Sequence, residues 1–403
     1  MSVNLIYDYS RTGDFEMKVT TFFGLEEVLE KELMQLGGKN IVPFKRGVSV
    51  VGDLGFLYKI NLCLHTGLKV TIPICKFDAN NEQELYDNIK SIEWEKFISN
   101  SDTIMIEGVT NSEIFTHSLY VSQKVKDGIV DRFRDKTGAR PDVDLLHPAF
   151  KVYVHIYNNE VTLHLDSSGD PLYKRGYRSD INEAPMKEVL AAGLVKLSGW
   201  EKHLLLVDGM CGAGTIAIEA ALWANNIPPG YYRNDFGFMR WHNFDEKLYD
   251  TVYESSISKI KNDKVEIIAN DIDLPTLKKA VINSKNAKVD DVINCTNFSF
   301  FDMQPTRGGG VVILNPPYGE RIPLPEDETV RMYKEIGNKL KKDFKGFNAW
   351  IITSSPEAVK SIGLRPSRRI HLFNGSLECR YLKFELYDGS KKASKNPDTM
   401  VRR

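Results

Sequence analysis

Apolar side chains recur along this chain with a period near two, then near 3.6, then two again, and the changes of period mark its elements. Residues 17–21 alternate like a short strand. Gly24 breaks it, and Leu25, Val28, Leu29 and Leu33 then take helical spacing until Gly37-Gly38 stops them. The pattern predicts strands at 41–45 and 48–51 around an Arg46-Gly47 turn, then a helix over 56–63 and a strand over 68–74. A helix at 82–91 and a strand at 103–108 follow. Val121, Val125, Ile129 and Phe133 give one face of a long helix over 119–136. Residues 150–156 and 160–166 alternate around Asn158-Asn159, as a hairpin does. Strands mixed with helices in this way read as α+β modules.

Residues 166–178 change character and read as a linker ending in the basic and aromatic cluster Lys174-Arg175-Gly176-Tyr177-Arg178. Pro185, with Glu183 in the capping region, then starts a helix through Leu190, Ala191, Leu194 and Val195. Short apolar runs now alternate with helices. Strands are expected at 204–207, 265–270, 292–297 and 311–314, and helices after residue 215 and over 274–287. A long helix at 330–344, a strand at 349–353, a short helix at 357–362 and a hairpin of 370–373 with 380–386 complete the pattern. Residues 225–250 interrupt it with Tyr231, Tyr232, Phe236, Phe238, Trp241 and Phe244, expected as a packed surface subdomain. The polar tail at 388–403 is expected to be disordered.

Charge changes this picture little. The 403 residues hold 53 Lys and Arg against 54 Asp and Glu, so no global field favours a polyanion. Residues 1–170 are net −7 and residues 171–403 net +6, so nucleic-acid contact in the first half needs a local patch. The five cysteines are odd in number, widely spaced and without a CxxC pair. That argues against a disulfide framework or a zinc site, and fits the reducing cytoplasm. Asp8, Asp14 and Glu16 near the start do not suit a signal peptide. No apolar run is long enough to span a bilayer.

The chemistry concentrates at strand ends. The run Val311-Val312-Ile313-Leu314 stops at Asn315-Pro316-Pro317-Tyr318. Two prolines cannot continue a ladder, so they make a stiff bracket that displays Asn315 and Tyr318. An amide and a peptide carbonyl can accept from an exocyclic amine, and a tyrosine can stack on the ring that carries it. Upstream, strand, glycine-rich turn and helix run through Asp208-Gly209-Met210-Cys211-Gly212-Ala213-Gly214-Thr215. Such a turn marks a nucleotide-cofactor pocket of Rossmann type. Asp208 would repel a dinucleotide's pyrophosphate, which disfavours a dehydrogenase, but suits the ammonium end of S-adenosylmethionine. Asp271 ends the next strand and is placed for ribose hydroxyls. Phe301-Asp302 follows the third strand and is placed for adenine.

These residues resemble the THUMP-containing class I RNA methyltransferases, and within them the bacterial large-subunit rRNA guanine-N2 methyltransferase group. The likeness runs from about Phe22 to about Tyr387. It is carried by Gly24-Leu25-Glu26, the Lys174–Arg178 cluster, Glu183-Ala184-Pro185-Met186-Lys187-Glu188, the Asp208–Thr215 loop, Phe236-Gly237-Phe238, Asn270-Asp271-Ile272-Asp273, Asn315 to Arg321, and Asn374-Gly375. The Asn-Pro-Pro-Tyr tetrad is shared with DNA and protein methyltransferases, and its combination with the basic cluster is far more selective. The resemblance implies an α/β fold, a Rossmann-like seven-stranded class I methyltransferase domain with its last strand antiparallel, preceded by α+β ferredoxin-like and THUMP domains. The expected boundaries are a ferredoxin-like segment at 1–55, THUMP at 56–168, a basic linker at 169–182, the methyltransferase domain at 183–387 and the tail at 388–403.

The expected reaction is methyl transfer from S-adenosylmethionine to an exocyclic amine of a base in structured RNA, guanine N2 in large-subunit rRNA, without a metal or a membrane. Catalytic roles fall to Asn315, Pro316, Pro317 and Tyr318, with Glu320 and Arg321 bracing the loop. Cofactor contacts fall to Pro185, Asp208, Gly209, Cys211, Gly212, Gly214, Thr215, Asp271, Ile272, Asp302 and Asn315. Lys174, Arg175, Tyr177 and Arg178 are expected to meet RNA. Some bacteria fuse this enzyme to a second methyltransferase; this chain's length implies the single-activity form. Adenine N6 methylation, of RNA or DNA, and a non-catalytic RNA-binding ribosome-assembly protein are the competing readings.

Overall fold

A computed structural model of the protein describes residues 3–9, 13–178, 186–306, 308–317 and 325–387. Two compact units compose the chain: Met1–Thr21, Leu29–Lys174 and Pro229–Ser258 make the first, and Phe22–Val28, Arg175–Pro228 and Lys259–Arg403 the second.

The early part of the chain forms β1 (Asn4–Leu5), β2 (Phe15–Thr20), α1 (Glu26–Leu36), β3 (Lys39–Phe44), β4 (Gly47–Gly52), α2 (Leu54–Cys63) and β5 (Lys69–Asp78). It continues with α3 (Glu82–Ser91), β6 (Thr103–Asn111), α4 (Ser118–Thr137), β7 (Asp142–Val143), β8 (Phe150–Tyr157) and β9 (Glu160–Asp166). Its strands join one sheet in the order β3-β4-β2-β5-β9-β8-β6-β7, with β1 on β5. β5 is the joint. Thr71 lies opposite Lys18 of β2 on one side and Asp166 of β9 on the other. One sheet and one core therefore run through the expected ferredoxin-like and THUMP spans. Period-two alternation sends Val70, Ile72, Val152, Val154, Val161 and Leu163 into that core.

The second unit begins with α5 (Glu188–Ser198), β10 (Leu205–Asp208) and α6 (Thr215–Ala224). The chain then returns to the first unit, where two 3₁₀ turns and α7 (Glu246–Ile257) lie. Here the expected surface subdomain is corrected. Phe236 and Phe238 are fully buried in the first unit's core, and the Phe238 ring lies 4.5 Å from that of Tyr58. Burying rings of this size stabilises far more than displaying them. The linker is not freely solvated either. Arg233 donates to the carbonyls of Ser168, Asp170, Pro171 and Lys174 at 3.0–3.1 Å.

The second unit resumes with β11 (Ile267–Asn270), α8 (Leu274–Asn286), β12 (Ile293–Thr296), β13 (Gly310–Leu314), α9 (Glu326–Asp343), β14 (Phe347–Thr353), α10 (Pro356–Ser361), β15 (Arg368–Asn374) and β16 (Leu377–Glu385). Its seven strands lie in the order β12-β11-β10-β13-β14-β16-β15. The pairs from β12 to β14 are parallel, and β16 runs antiparallel to both its neighbours. This is the class I methyltransferase sheet. The chain winds outward from β10 to β12, then crosses back to β13, so strand order reverses between β10 and β13. Ligands bind at the carboxyl ends of strands flanking such a reversal. Among the described residues no helix is long and apolar enough to cross a membrane. Pro185, Tyr318, Glu320, Arg321 and the 388–403 tail lie outside the described residues.

Candidate active site

β10 is apolar until its last residue, so its register delivers Asp208 to the carboxyl edge, opposite Ile313 of β13 and Ala269 of β11. Its side chain has no solvent exposure. Oδ2 accepts from the Ala217 N–H at 3.3 Å, and among the described residues Oδ1 has no hydrogen-bond partner. Burial, with a smaller contribution from the Asp271 carboxylate, pushes the Asp208 carboxyl up to about 8. A buried acceptor left unpaired is costly, and a cationic group nearby would relieve it.

The turn after Asp208 is held by backbone contacts that only certain residues allow. The Gly209 N–H donates to Ile313 O, and Cys211 N–H to Asn270 O. A Cβ at Gly209 would stand 2.7 Å from Leu314 Cδ2 and 2.8 Å from the Phe300 ring. Gly214 has φ +80° at the start of α6, and a Cβ there would meet that of Ala280 at 2.9 Å. Gly212 N–H donates to Asp271 Oδ2 at 2.8 Å, tying the turn to the end of β11. Cys211 is buried and its thiol is pushed well up, so it is a packing residue rather than a nucleophile.

Asp271 is half-buried; its Oδ1 accepts from the Asp273 N–H at 2.9 Å, and each oxygen keeps a lone pair for a hydroxyl donor. Ile272 beside it is 69% exposed, and Phe298, beyond β12, is 46% exposed. Two apolar faces left open at strand ends are suited to a flat ring. Phe300, buried against Gly209, anchors the turn that carries the exposed Asp302. Just past the end of β13, the strand beside β10, Asn315 is half-buried next to the buried Pro316, and its amide makes no hydrogen bond among the described residues.

Two residues whose roles escaped the sequence reading hold this arrangement. Asn270, fully buried, donates to Gly209 O at 3.2 Å and Phe298 O at 3.0 Å, and accepts from Thr296 Oγ1. It welds three strand ends together. A polar residue closing an apolar strand was the available signal. Glu219 gave less warning: it is fully buried on α6, a helix otherwise apolar around its circumference.

Glu219 corrects the expected RNA-facing cluster. Arg175 reaches both its oxygens at 3.4 Å, and the Tyr177 hydroxyl donates to it at 3.1 Å. Arg175 and Tyr177 are each 1% exposed. A carboxylate so deep in the interior needs a cation and a donor, and these two supply them. Arg178 is also turned inward. It pairs with the buried Glu188 and donates to Met186 O at 2.7 Å and Thr215 Oγ1 at 3.0 Å. It thus braces the first residue of α6, where the cofactor turn ends. Lys174 alone is exposed, in an ion pair with Asp170 at 2.9 Å. Among the described residues no group of three or more His, Cys, Asp or Glu side chains is arranged to hold a metal.

The set therefore fits S-adenosylmethionine: an orphaned buried carboxylate for a cationic end, Asp271 for a ribose, and open apolar faces with Asp302 for adenine. Comparisons with known proteins agree. Residues 175–383 match the profile described as RMKL-like, methyltransferase domain. Residues 79–166 match a THUMP domain, and 16–71 an RlmL ferredoxin-like domain. A Synechocystis sp. protein provisionally named an RNA methyltransferase is 36% identical over 90% of this chain and 95% of its own. The ribosomal RNA large subunit methyltransferase K/L of Syntrophotalea carbinolica is 34% identical over 90% of this chain, which spans 52% of that relative's length. A solved structure, provisionally named a methyltransferase and crystallised with S-adenosylhomocysteine, superposes with a TM-score of 0.83 at 26% identity, covering 94% of this chain and 100% of its own. The chain belongs to the THUMP-containing, RMKL-like family of class I S-adenosylmethionine-dependent methyltransferases.

Proposed function

We propose that the protein methylates an exocyclic amine of a base in structured RNA, guanine N2 in large-subunit rRNA, in the cytoplasm. The observation that carries this reading is the Asn315 amide, half-buried, without a hydrogen-bond partner among the described residues and stiffened by Pro316, at the end of β13 beside the strand that delivers Asp208. The cofactor supplies an activated methyl group on a sulfonium. An aryl amine's lone pair is delocalised into its ring. Asn315 Oδ1 and the Pro316 carbonyl accept its two N–H groups and direct that lone pair toward the methyl carbon. The new N–C bond takes the amine's electron pair as the S–C pair returns to sulfur. The surplus proton leaves through a carbonyl or water. Positioning is the main contribution of the protein to the rate. Tyr318 stacks on the base, which leaves its helix to reach the site.

The THUMP and ferredoxin-like spans support RNA rather than DNA as the polymer, and the rRNA methyltransferase relatives support the large subunit. Guanine rather than adenine rests on the resemblance of the whole motif set. The test is nucleoside mass spectrometry of rRNA from a strain lacking this protein. Loss of one N2-methylguanosine from the large subunit is expected. Loss of an N6-methyladenosine replaces the base assignment, and an unchanged rRNA overturns the reading.

A further inference from the structure

With Arg175, Tyr177 and Arg178 turned inward, the cations able to meet RNA must lie elsewhere. The first unit's exposed cations without a carboxylate partner among the described residues, such as Lys31, Lys45, Lys136 and Arg140, are spread over α1, the β3–β4 turn and the end of α4. Lys39, Lys76, Lys90 and Lys151 each stand within 2.6–2.9 Å of a carboxylate. The far edge of the second unit's sheet differs. β15 is the edge strand, and it opens with Arg368 and Arg369. Arg365 lies just before it, on a segment still paired with β16 through Ser367 N–H to Lys383 O at 2.8 Å. Arg380 lies across the ladder, opposite His371. All four arginines are exposed, and among the described residues none has a carboxylate partner. Glu378, on the same face as Arg380, is taken by His371 at 3.0 Å.

The register gathers these charges. Arg369 and Arg380 are diagonal neighbours on one face, within reach of each other's long side chains. Arg368 projects to the other face, so the cations straddle the edge. Four guanidinium groups held together with only Glu378 among them repel, and a polyanion laid along the edge would relieve them. Guanidinium groups also match phosphate oxygens two at a time.

We propose that the β15 edge, through Arg365, Arg368, Arg369 and Arg380, is a phosphate-backbone docking surface for the RNA substrate. The proposal rests on the reading of the substrate as RNA. These contacts orient the polymer and carry no base preference. The bland alternative is edge protection, since charged residues on an edge strand also discourage pairing with other sheets.

The test is filter binding of the full chain to a large-subunit rRNA transcript between 50 and 250 mM salt. Each lost phosphate contact flattens the plot of log affinity against log salt by about 0.7–0.9. The triple variant Arg365→Gln/Arg368→Gln/Arg369→Gln should lower the slope by about 2–3 and weaken RNA binding at least tenfold at low salt, with S-adenosylhomocysteine affinity and melting temperature unchanged. Replacing the same three by lysine should restore most of the slope. An unchanged slope in the glutamine variant, with or without aggregation, overturns the docking role. Wild-type protein without any RNA affinity overturns the RNA reading, and this surface with it.

Discussion

Replacing Arg175 by methionine removes the cation that faces Glu219 inside the second unit. Glu219 has no exposure and Arg175 has 1%, so water cannot compensate. Taking one partner from a buried pair costs about 3–5 kcal/mol, because the other charge stays uncompensated. The two contacts here are long, at 3.4 Å, and the Tyr177 hydroxyl remains at 3.1 Å, which favours the lower end, about 3 kcal/mol. For a unit of this size that is a fall in melting temperature of roughly 6–12 °C. The pH dependence has a definite sign. Burial already holds the Glu219 carboxyl above its ordinary value of 4.5, and Arg175 is the main influence pulling it down. Without Arg175 it rises further. A group raised in the folded state contributes stability below its unfolded value and loses it as pH climbs through the folded one. The variant should therefore be least impaired near pH 4.5 and progressively worse toward neutrality. The double variant Arg175→Met/Glu219→Leu leaves no buried charge and should recover most of the loss. The assay is thermal melting from pH 5 to 8, with RNA affinity measured well below the melting transition. A single variant with native stability and lost RNA binding would refute the buried-pair assignment and return Arg175 to the RNA surface.

Three further outcomes probe the cofactor and amine sites. Asp208→Asn keeps an acceptor for the Ala217 N–H but removes the ionisable carboxyl that faces the cofactor's cationic end, so S-adenosylmethionine affinity should fall about tenfold or more; calorimetric titration, with thermal melts to confirm folding, checks this, and a folded variant with full affinity contradicts the role given to Asp208. Because that carboxyl sits at about 8, wild-type affinity should also strengthen as pH rises from 6 to 7.5, and the asparagine variant should lose this dependence. Asn315→Ala should keep S-adenosylhomocysteine binding while losing at least a hundredfold in turnover, the scale expected when an orienting contact made at the reacting atoms is lost; turnover near wild type would remove the amine-orienting role.

What could be read from the sequence follows from distance along the chain. The second unit's strands are short apolar runs ended by Asp208, Asn270 and Leu314, and each carries its own signal of period and stop. The glycine-rich turn between β10 and α6 is a local motif, so it was legible, and the Asn315–Tyr318 tetrad, only part of which lies among the described residues, is local too. The inward turn of Arg175 was not: its partner Glu219 lies 44 residues on, and a run of basic and aromatic residues looks the same whether it meets solvent or a buried acid. The aromatic stretch failed similarly. Phe238 packs on Tyr58, across 180 residues, and the helix over Glu246–Ile257 was hidden among the rings. The joining role of β5 also depends on non-local pairing with both β2 and β9.

The central claim is that the Asp208 turn and the Asn315 bracket together move a methyl group onto an exocyclic amine of RNA. The most direct measurement gives the purified full chain S-adenosylmethionine labelled in its methyl group and large-subunit rRNA lacking its own modification, followed by digestion to nucleosides. One labelled N2-methylguanosine per rRNA, absent with Asn315→Ala, is the result this account predicts. Label in a ribose or a ring carbon, or none at all with wild-type protein that binds both partners, would contradict it.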